Sequence, residues 1–318
     1  NKILGLTEPN DFVGTGTGEK VLFVIDSGDV GEVIGDKLAA AGVVKTSEAF
    51  YTLLLKHSSV IFQPGTYSLS KEMSAQAALD ALQDPANRVE NTLTVPEGTV
   101  SANVLADLSA VTDVPLADLQ SAATDLAALG IPASAPNIEG YLFPATYTFE
   151  PNMSAHDLLK IMVDRTFEAL DAAGVAPADR ERVLTLASII QKEARLKDDF
   201  YKASRVFTNR IAEEMLLESD ATVAYGTGQR RVDTTSAERA DASNLYNTYQ
   251  HEGLPVGPIS NPGDLAIDAA LHPAEGTWLF FVTWNLDTGE TIFSTTQSEH
   301  EAGVKKYREW SAENPDFE

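Results

Sequence analysis

The chain repeats itself, and this limits its possible folds more than any other feature. Residues 25–43, IDSGDVGEVIGDKLAAAGV, are answered by residues 95–114, VPEGTVSANVLADLSAVTDV, where Gly28, Val30, Ile34 and Leu38 match Gly98, Val100, Val104 and Leu108 at one constant offset. The echo then resumes: GTYSLSKEMSAQAAL (65–79) parallels ATYTFEPNMSAHDLL (145–159), sharing Thr, Tyr, Met, Ser, Ala and Leu in register. Each copy predicts a short strand (Val21 to Ile25; Thr92 to Val95), a tight turn at Gly28 or Gly98, and an amphipathic helix. A second helix follows (SEAFYTLLLKH or LADLQSAATDLAAL), then a strand ending at Tyr67 or Tyr147, then a helix opened by Ser74 or Ser154 as N-cap. The first half therefore reads as two tandem βααβ units within an α+β fold. Two copies are too few for a solenoid.

The second half has a different pattern. Helices are expected from about Ala178 to Ala194 and from about Asp198 to Met215, the second with Phe200, Ala203, Phe207, Ile211 and Met215 near one face. Residues 217–263 are rich in Gly, Asn, Thr, Tyr and Pro and read as loop with one short helix at ATVAYG. Asn261-Pro262 opens a helix that stops before Pro273. TWLFFVTW and ETIFST, joined through NLDTG, form a hairpin pattern, and SEHEAGVKKYREW closes the chain as a helix. Long loops on a packed scaffold are where sites concentrate.

Within LASIIQKEARLKDDF (186–200), an apolar run ends in a carboxylate. At about 100° per residue, Glu193 shares a helix face with Leu186 and Ile190, while Gln191 and Lys192 point elsewhere. An acid on such a face is partly desolvated, which raises its pKa and suits it to donate a proton at neutral pH. The pattern alone leaves a second reading, a helix-terminal acid paired with Arg195 or Arg205. Composition narrows the chemistry. A chain of 318 residues, 43% hydrophobic, can bury a large core and is expected to make two domains. The five histidines show no ligand spacing and there is no cysteine, so no metal and no cofactor is expected. A net charge of -24 repels nucleic acid and anionic head groups. No apolar run approaches the roughly 20 residues that span a bilayer, and the opening NKILGLTEPNDFVGTGTGEK is not a signal peptide. The chain is expected to be soluble and, starting at Asn1 without Met, to be a piece of a longer protein.

EGYLFPATY (139–147), ASIIQKEA (187–194), SDATVAYG (219–226), YNTY followed by GLPVGPISNPG (246–263), and the EH of SEH (299–300) occur in the order and spacing of the MltG or YceG-like endolytic murein transglycosylases, which the chain resembles from about residue 20 to its end. The resemblance implies a bacterial enzyme that cuts nascent peptidoglycan glycan strands. Its body lies outside the cytoplasmic membrane on a single N-terminal membrane helix, and cell-wall synthases are candidate partners. It also implies a tail (1–17), a LysM-like βααβ domain (18–90) and a larger mixed α+β catalytic domain (91–318) containing the second βααβ-like unit. The family's catalytic glutamate falls on Glu193, which would protonate the leaving glycosidic oxygen and later accept the proton of the 6-hydroxyl of N-acetylmuramic acid as that oxygen attacks its own C1. Gln191 stands where many members have Glu, and Thr291 where members often have His.

Other residues in these motifs carry two readings. Asp220 is an N-cap for the ATVAYG helix or a hydrogen-bond partner of substrate. Glu139 is expected to hold a loop, with substrate contact as the alternative. Tyr141, Thr222, Tyr225, Asn247, Thr248 and Tyr249 either build the loop scaffold or line a glycan groove, where rings and amides meet sugar faces and N-acetyl groups. His300 beside Glu299 is expected as a cap or surface pair. Two alternative functions remain: a noncatalytic peptidoglycan-binding wall protein, or a glycoside hydrolase pairing Glu193 with Asp220.

Overall fold

The turn glycines and Ser caps of the repeat both take the conformations their chemistry favours. The structure, a computed structural model, describes residues 10–26, 28–57, 60–228 and 234–315. The mixed α+β chain divides into two compact units, Asn1–Thr92 with Thr148–Met153, and Leu93–Tyr147 with Ser154–Glu318.

In the first unit, β1 (Lys20–Ile25), α1 (Gly31–Ala40), α2 (Ser47–Leu54) and β2 (Gly65–Ser70) follow in βααβ order, and α3 (Ala75–Gln83) comes after. β1 and β2 pair antiparallel, with Phe23 opposite Tyr67 and Ile25 opposite Gly65. The alternation of KVLFVI buries Phe23 and Ile25 and leaves Leu22 and Val24 outside, as a sheet covered on one face requires. Ile34, Leu38, Phe50 and Leu79 pack beneath it. Each such side chain stabilises the unit by about 1.5–3 kcal/mol on burial. Of the expected tail, residues 1–9 lie outside the described residues. Residues 10–17 adhere to the unit: the Asp11 carboxylate accepts from Ala75 N at the start of α3, and Thr15 bridges to Met73. Glu150 belongs here as well, accepting from the buried Thr66 amide at 3.0 Å and pairing with Arg88.

The pattern recurs in β3 (Asn91–Thr94), α4 (Ser101–Thr112), α5 (Leu116–Ala122), α6 (Leu126–Leu129) and β4 (Thr146–Phe149), with β3 and β4 paired and α7 (Ala155–Ala172) after them. Gly28 and Gly98 both have positive φ, 93° and 77°, a conformation glycine adopts without strain. Ser74 accepts from Ala77 N and Ser154 from Asp157 N, each capping the helix after the second strand. Tyr67 and Tyr147 each donate to the carbonyl four residues earlier, Gln63 O at 2.7 Å and Phe143 O at 2.6 Å. Two boundaries differ from expectation. The strands run past the tyrosines to Ser70 and Phe149, and the second helix of the later copy breaks in two, because Asp125 accepts from Ala128 N and starts a fresh cap.

In the rest of the second unit come α8 (Arg180–Glu193), α9 (Lys197–Ala212), α10 (Asp220–Thr227), α11 (Ser236–Arg239), α12 (Asp264–Leu271), the hairpin β5 (Phe280–Thr283) and β6 (Thr291–Ser294), and α13 (Gln297–Glu313). α8 starts later than expected because Pro177–Asp179 forms a 3-10 turn. It is not a striped helix either: every residue from Val183 to Ile190 is buried, with α9, α10 and α12 packed around it. α9 ends before Met215, and Ile211 is 38% exposed rather than on the buried face. α12 begins at Asp264, after Pro262 and Gly263, and α11 was not expected. The hairpin forms as predicted, with Phe281 opposite Phe293.

Candidate active site

α8 is buried on all sides from Val183 to Ile190, and its last turn brings it back to solvent. Three contacts hold that turn. Ser188 Oγ accepts from Ile259 N at 3.0 Å, Gln191 Oε1 accepts from Gly263 N at 3.1 Å, and Lys192 Nζ donates to Gly98 O at 3.3 Å. The loop 257–263 and the turn at Gly98 thus fix the helix end that carries Glu193. Ala194 then leaves the helix with extended ψ, 144°.

Glu193 is partly exposed and lines a pocket of about 360 Å³. Its Oε1 accepts from Ser219 Oγ at 2.6 Å. Burial pushes its pKa above the ordinary glutamate value; the Ser219 hydroxyl opposes the shift and the charge of Asp220 adds to it. The expected alternative partners are engaged elsewhere. Arg195 donates to Leu286 O and Arg205 to Ala274 O and Pro273 O. Phe207, Leu217 and Phe281 supply apolar wall, and Lys192, Asp220 and Tyr249 polar wall. A concave site with apolar walls and one acid whose proton is favoured is what general-acid chemistry needs.

The model of the YceG-like family matches residues 23–306. The chain belongs to the YceG-like family. It is 30% identical over 303 residues to the endolytic murein transglycosylase of Bacillus subtilis (strain 168), covering 89% of this chain and 83% of that protein. With the Streptococcus pneumoniae (serotype 2, strain D39) protein of the same name it shares 26% over 317 residues, and it spans 57% of that longer relative. The crystal structure of a yceG-like protein from Listeria monocytogenes superposes with a TM-score of 0.58 at 29% identity, covering 89% of this chain and 99% of that one.

In this YceG-like chain the motif residues fall into two groups. Glu193, Asp220 and Tyr249 line the pocket. Asp220 is not the N-cap of α10; that position is Ser219, and Asp220 begins the helix. The Asp220 carboxylate accepts from Thr234 Oγ1 and from Tyr249 OH (3.2 Å), with Arg239 Nη1 at 3.5 Å. Burial, then the Asp220 charge, pushes the Tyr249 phenol up to about 12. The second group lies behind the wall. Thr222 and Thr248 are fully buried and touch each other at 2.8 Å; Thr222 Oγ1 donates to Ser219 O, and Ser219 N donates to Thr248 Oγ1. Asn247, also fully buried, donates to the carbonyls of Glu238, Arg239 and Asp241, and so closes the end of α11 that presents Arg239. Tyr225 stacks edge-on to Tyr246 at 4.8 Å and interacts with Glu139. α10 can bring Tyr225 there because Gly226 has no side chain; a Cβ would lie 1.9 Å from Asn244 Oδ1. Tyr141 is fully buried, its hydroxyl without a partner among the described residues.

Glu139 does hold a loop. It is 3% exposed and accepts from Ser101 N (2.9 Å), Ser101 Oγ and Asn261 Nδ2. Burial raises its pKa to about 7. Of the closing pair, Glu299 completes a capping box with Thr296. His300 is not a surface group: it stacks on Phe280 at 5.2 Å and lines the pocket, and burial pushes its pKa down. Thr291 bonds Gly289 O and Thr283. Among the described residues, no cluster of His, Asp or Glu has metal-site geometry, and no helix is long and apolar enough to cross a membrane.

Proposed function

We propose that this chain cleaves peptidoglycan as an endolytic lytic transglycosylase, with Glu193 as the single general acid and base. One observation carries the assignment of Glu193: it is the pocket carboxyl whose proton burial favours, at the end of a helix clamped by three separate contacts. The names of the relatives support the reaction class. In the first half of the reaction Glu193 gives its proton to the glycosidic oxygen between N-acetylmuramic acid and N-acetylglucosamine as the C1–O bond breaks and its electron pair goes to that oxygen. In the second half the carboxylate takes the proton of the 6-hydroxyl as O6 bonds to C1. The nucleophile is tethered to the electrophile, so it has the effective-concentration advantage of an intramolecular reaction. Water is not consumed. Asp220 and Tyr249 contact the sugar at the pocket wall, while Thr222, Tyr225, Asn247, Thr248, Glu139 and Tyr141 set its shape from behind.

The βααβ order of the first unit supports a LysM-like module, within residues 18–90, that grips glycan, followed by a catalytic domain from 91 to 318. The same reading puts the protein outside the cytoplasmic membrane, tethered through one N-terminal membrane helix and working beside cell-wall synthases. Mass analysis of digested glycan strands tests the reaction. New ends should be 1,6-anhydro sugars, lighter than hydrolytic ends by one water and inert to borohydride. Ends that accept hydride, or that carry label from heavy-oxygen water at C1, refute it.

A further inference from the structure

The residue at the N-cap of α10 does not cap. A serine there ordinarily accepts from an amide of the first helical turn, and Thr46, Ser74, Ser154, Thr235 and Thr296 all do so at their own helices. Ser219 makes no such bond; its hydroxyl goes to Glu193 Oε1 instead. A local rule broken beside a reacting group, with no gain for the helix itself, is the mark of a functional position.

The backbone of Ser219 is held to match. Thr222 has one hydroxyl proton and spends it on Ser219 O, so the Thr222–Thr248 contact must use the Thr248 proton. Thr248 Oγ1 is then free to accept from Ser219 N, and Glu218 N donates to Thr248 O. The amide and the carbonyl of Ser219 are thus both tied to fully buried threonines, and from that fixed backbone its hydroxyl points to Glu193 Oε1.

We propose that Ser219 is the positioning residue for Glu193: it fixes Oε1 as the accepting oxygen, leaves Oε2 to carry the acid proton, and holds the carboxylate that remains once that proton is given up. This rests on the reading of Glu193 as the acid. When the proton leaves Oε2 for the glycosidic oxygen, charge appears on a carboxylate that Ser219 already contacts, and a hydrogen bond to an ionised partner is about twice as strong as a neutral one. When the 6-hydroxyl proton returns to Oε2, the contact relaxes. Ser219 itself exchanges no proton with substrate.

The charged and titratable groups that share the pocket with Glu193 are Lys192 beside it on α8, Arg210 on α9, Glu218, Asp220 and Tyr249 from the α10 side, and His300 on α13. None of them is removed by a change at Ser219, so the test reads the hydroxyl alone. In Ser219→Ala, kcat should fall about tenfold or more with KM little changed, and the alkaline limb of the pH profile should move up by about one pH unit, since a donor favouring the charged form is gone. Ser219→Thr, which keeps the hydroxyl, should restore both. Ser219→Gly, nearly as good an N-cap and without any side-chain donor, should not. Titration of Glu193 by carbon-13 NMR of its side-chain carboxyl, in Ser219→Ala and the parent protein, separates this proposal from the one beneath it. An upward shift in the variant supports the Ser219–Glu193 coupling even if Glu193→Gln proves active and the catalytic reading falls. An unmoved Glu193 titration overturns the proposal, as does recovery of activity in Ser219→Gly together with thermal stability, which would show that the hydroxyl is not needed.

Discussion

Replacing Glu139 by Gln should reverse sign with pH, becoming destabilising in acid and stabilising in base. Glu139 is almost fully buried, with a pKa raised from 4.5 to about 7, chiefly by burial. A folded-state pKa above the unfolded one means that the folded chain holds the proton more tightly. Stability from this group is therefore complete below about 4.5 and falls as pH rises toward 7. At 1.36 kcal/mol per pH unit the loss levels off at roughly 3 kcal/mol. In the variant the amide oxygen can take the place of Oε1 and keep the contacts from Ser101 N, Ser101 Oγ and Asn261. The amide nitrogen replaces Oε2, so the second contact from Ser101 N is lost at every pH. That costs about 1 kcal/mol. The variant should thus be less stable by about 1 kcal/mol near pH 4 and more stable by about 2 kcal/mol at pH 8. Urea unfolding followed by tryptophan emission is a suitable assay, because Trp278, Trp284 and Trp310 all lie in the second unit with Glu139. A difference between variant and parent that stays constant from pH 4 to 8 would falsify the argument.

Glu193→Gln should abolish glycan cleavage without lowering stability at pH 8, since burial already disfavours the ionised acid; near-normal release of products from purified sacculi would contradict the assignment. Gln191→Ala removes one contact to Gly263 N and should cost about 1 kcal/mol in urea unfolding while leaving most activity in place. Thr248→Val keeps the shape but strands the buried Ser219 amide, and should cost about 1–3 kcal/mol along with turnover; unchanged melting and unchanged kcat would show that the threonine pair supports nothing. Tyr67→Phe and Tyr147→Phe each delete a bond to the carbonyl four residues back, at about 1 kcal/mol apiece. Only the second should shift the tryptophan-detected transition.

The repeat was legible because its signals are local. A glycine with positive φ, a serine before a helix and an alternating strand declare themselves within a few residues, and Gly28, Gly98, Ser74 and Ser154 all behave as their chemistry suggests. Glu193 was legible for a similar reason, as an acid closing an apolar run. What surrounds it was not. Thr222, Asn247 and Thr248 look alike in sequence whether they face a sugar or a buried carbonyl, and the choice is made by partners brought together only by folding. Ser219 was passed over because its neighbour Asp220 offers the cap that the ATVAYG helix needs, whereas the N-cap position falls one residue earlier. His300 drew the same kind of reading from its neighbour, when Glu299 alone does the capping.

The first unit is finished by chain that arrives late. Thr148–Met153 belongs to it, and Glu150 supplies the acceptor for the buried Thr66 amide and an ion-pair partner for Arg88. A continuous stretch of gene ending near residue 90 therefore encodes β1, β2 and α1 to α3 but not the unit's last contacts. A ribosome has to make residues Leu93 to Tyr147 of the other unit before this one can be completed. Grafting the module onto a different protein calls for a substitute acceptor at Thr66, or for residues 148–153 to be carried along as a second insertion.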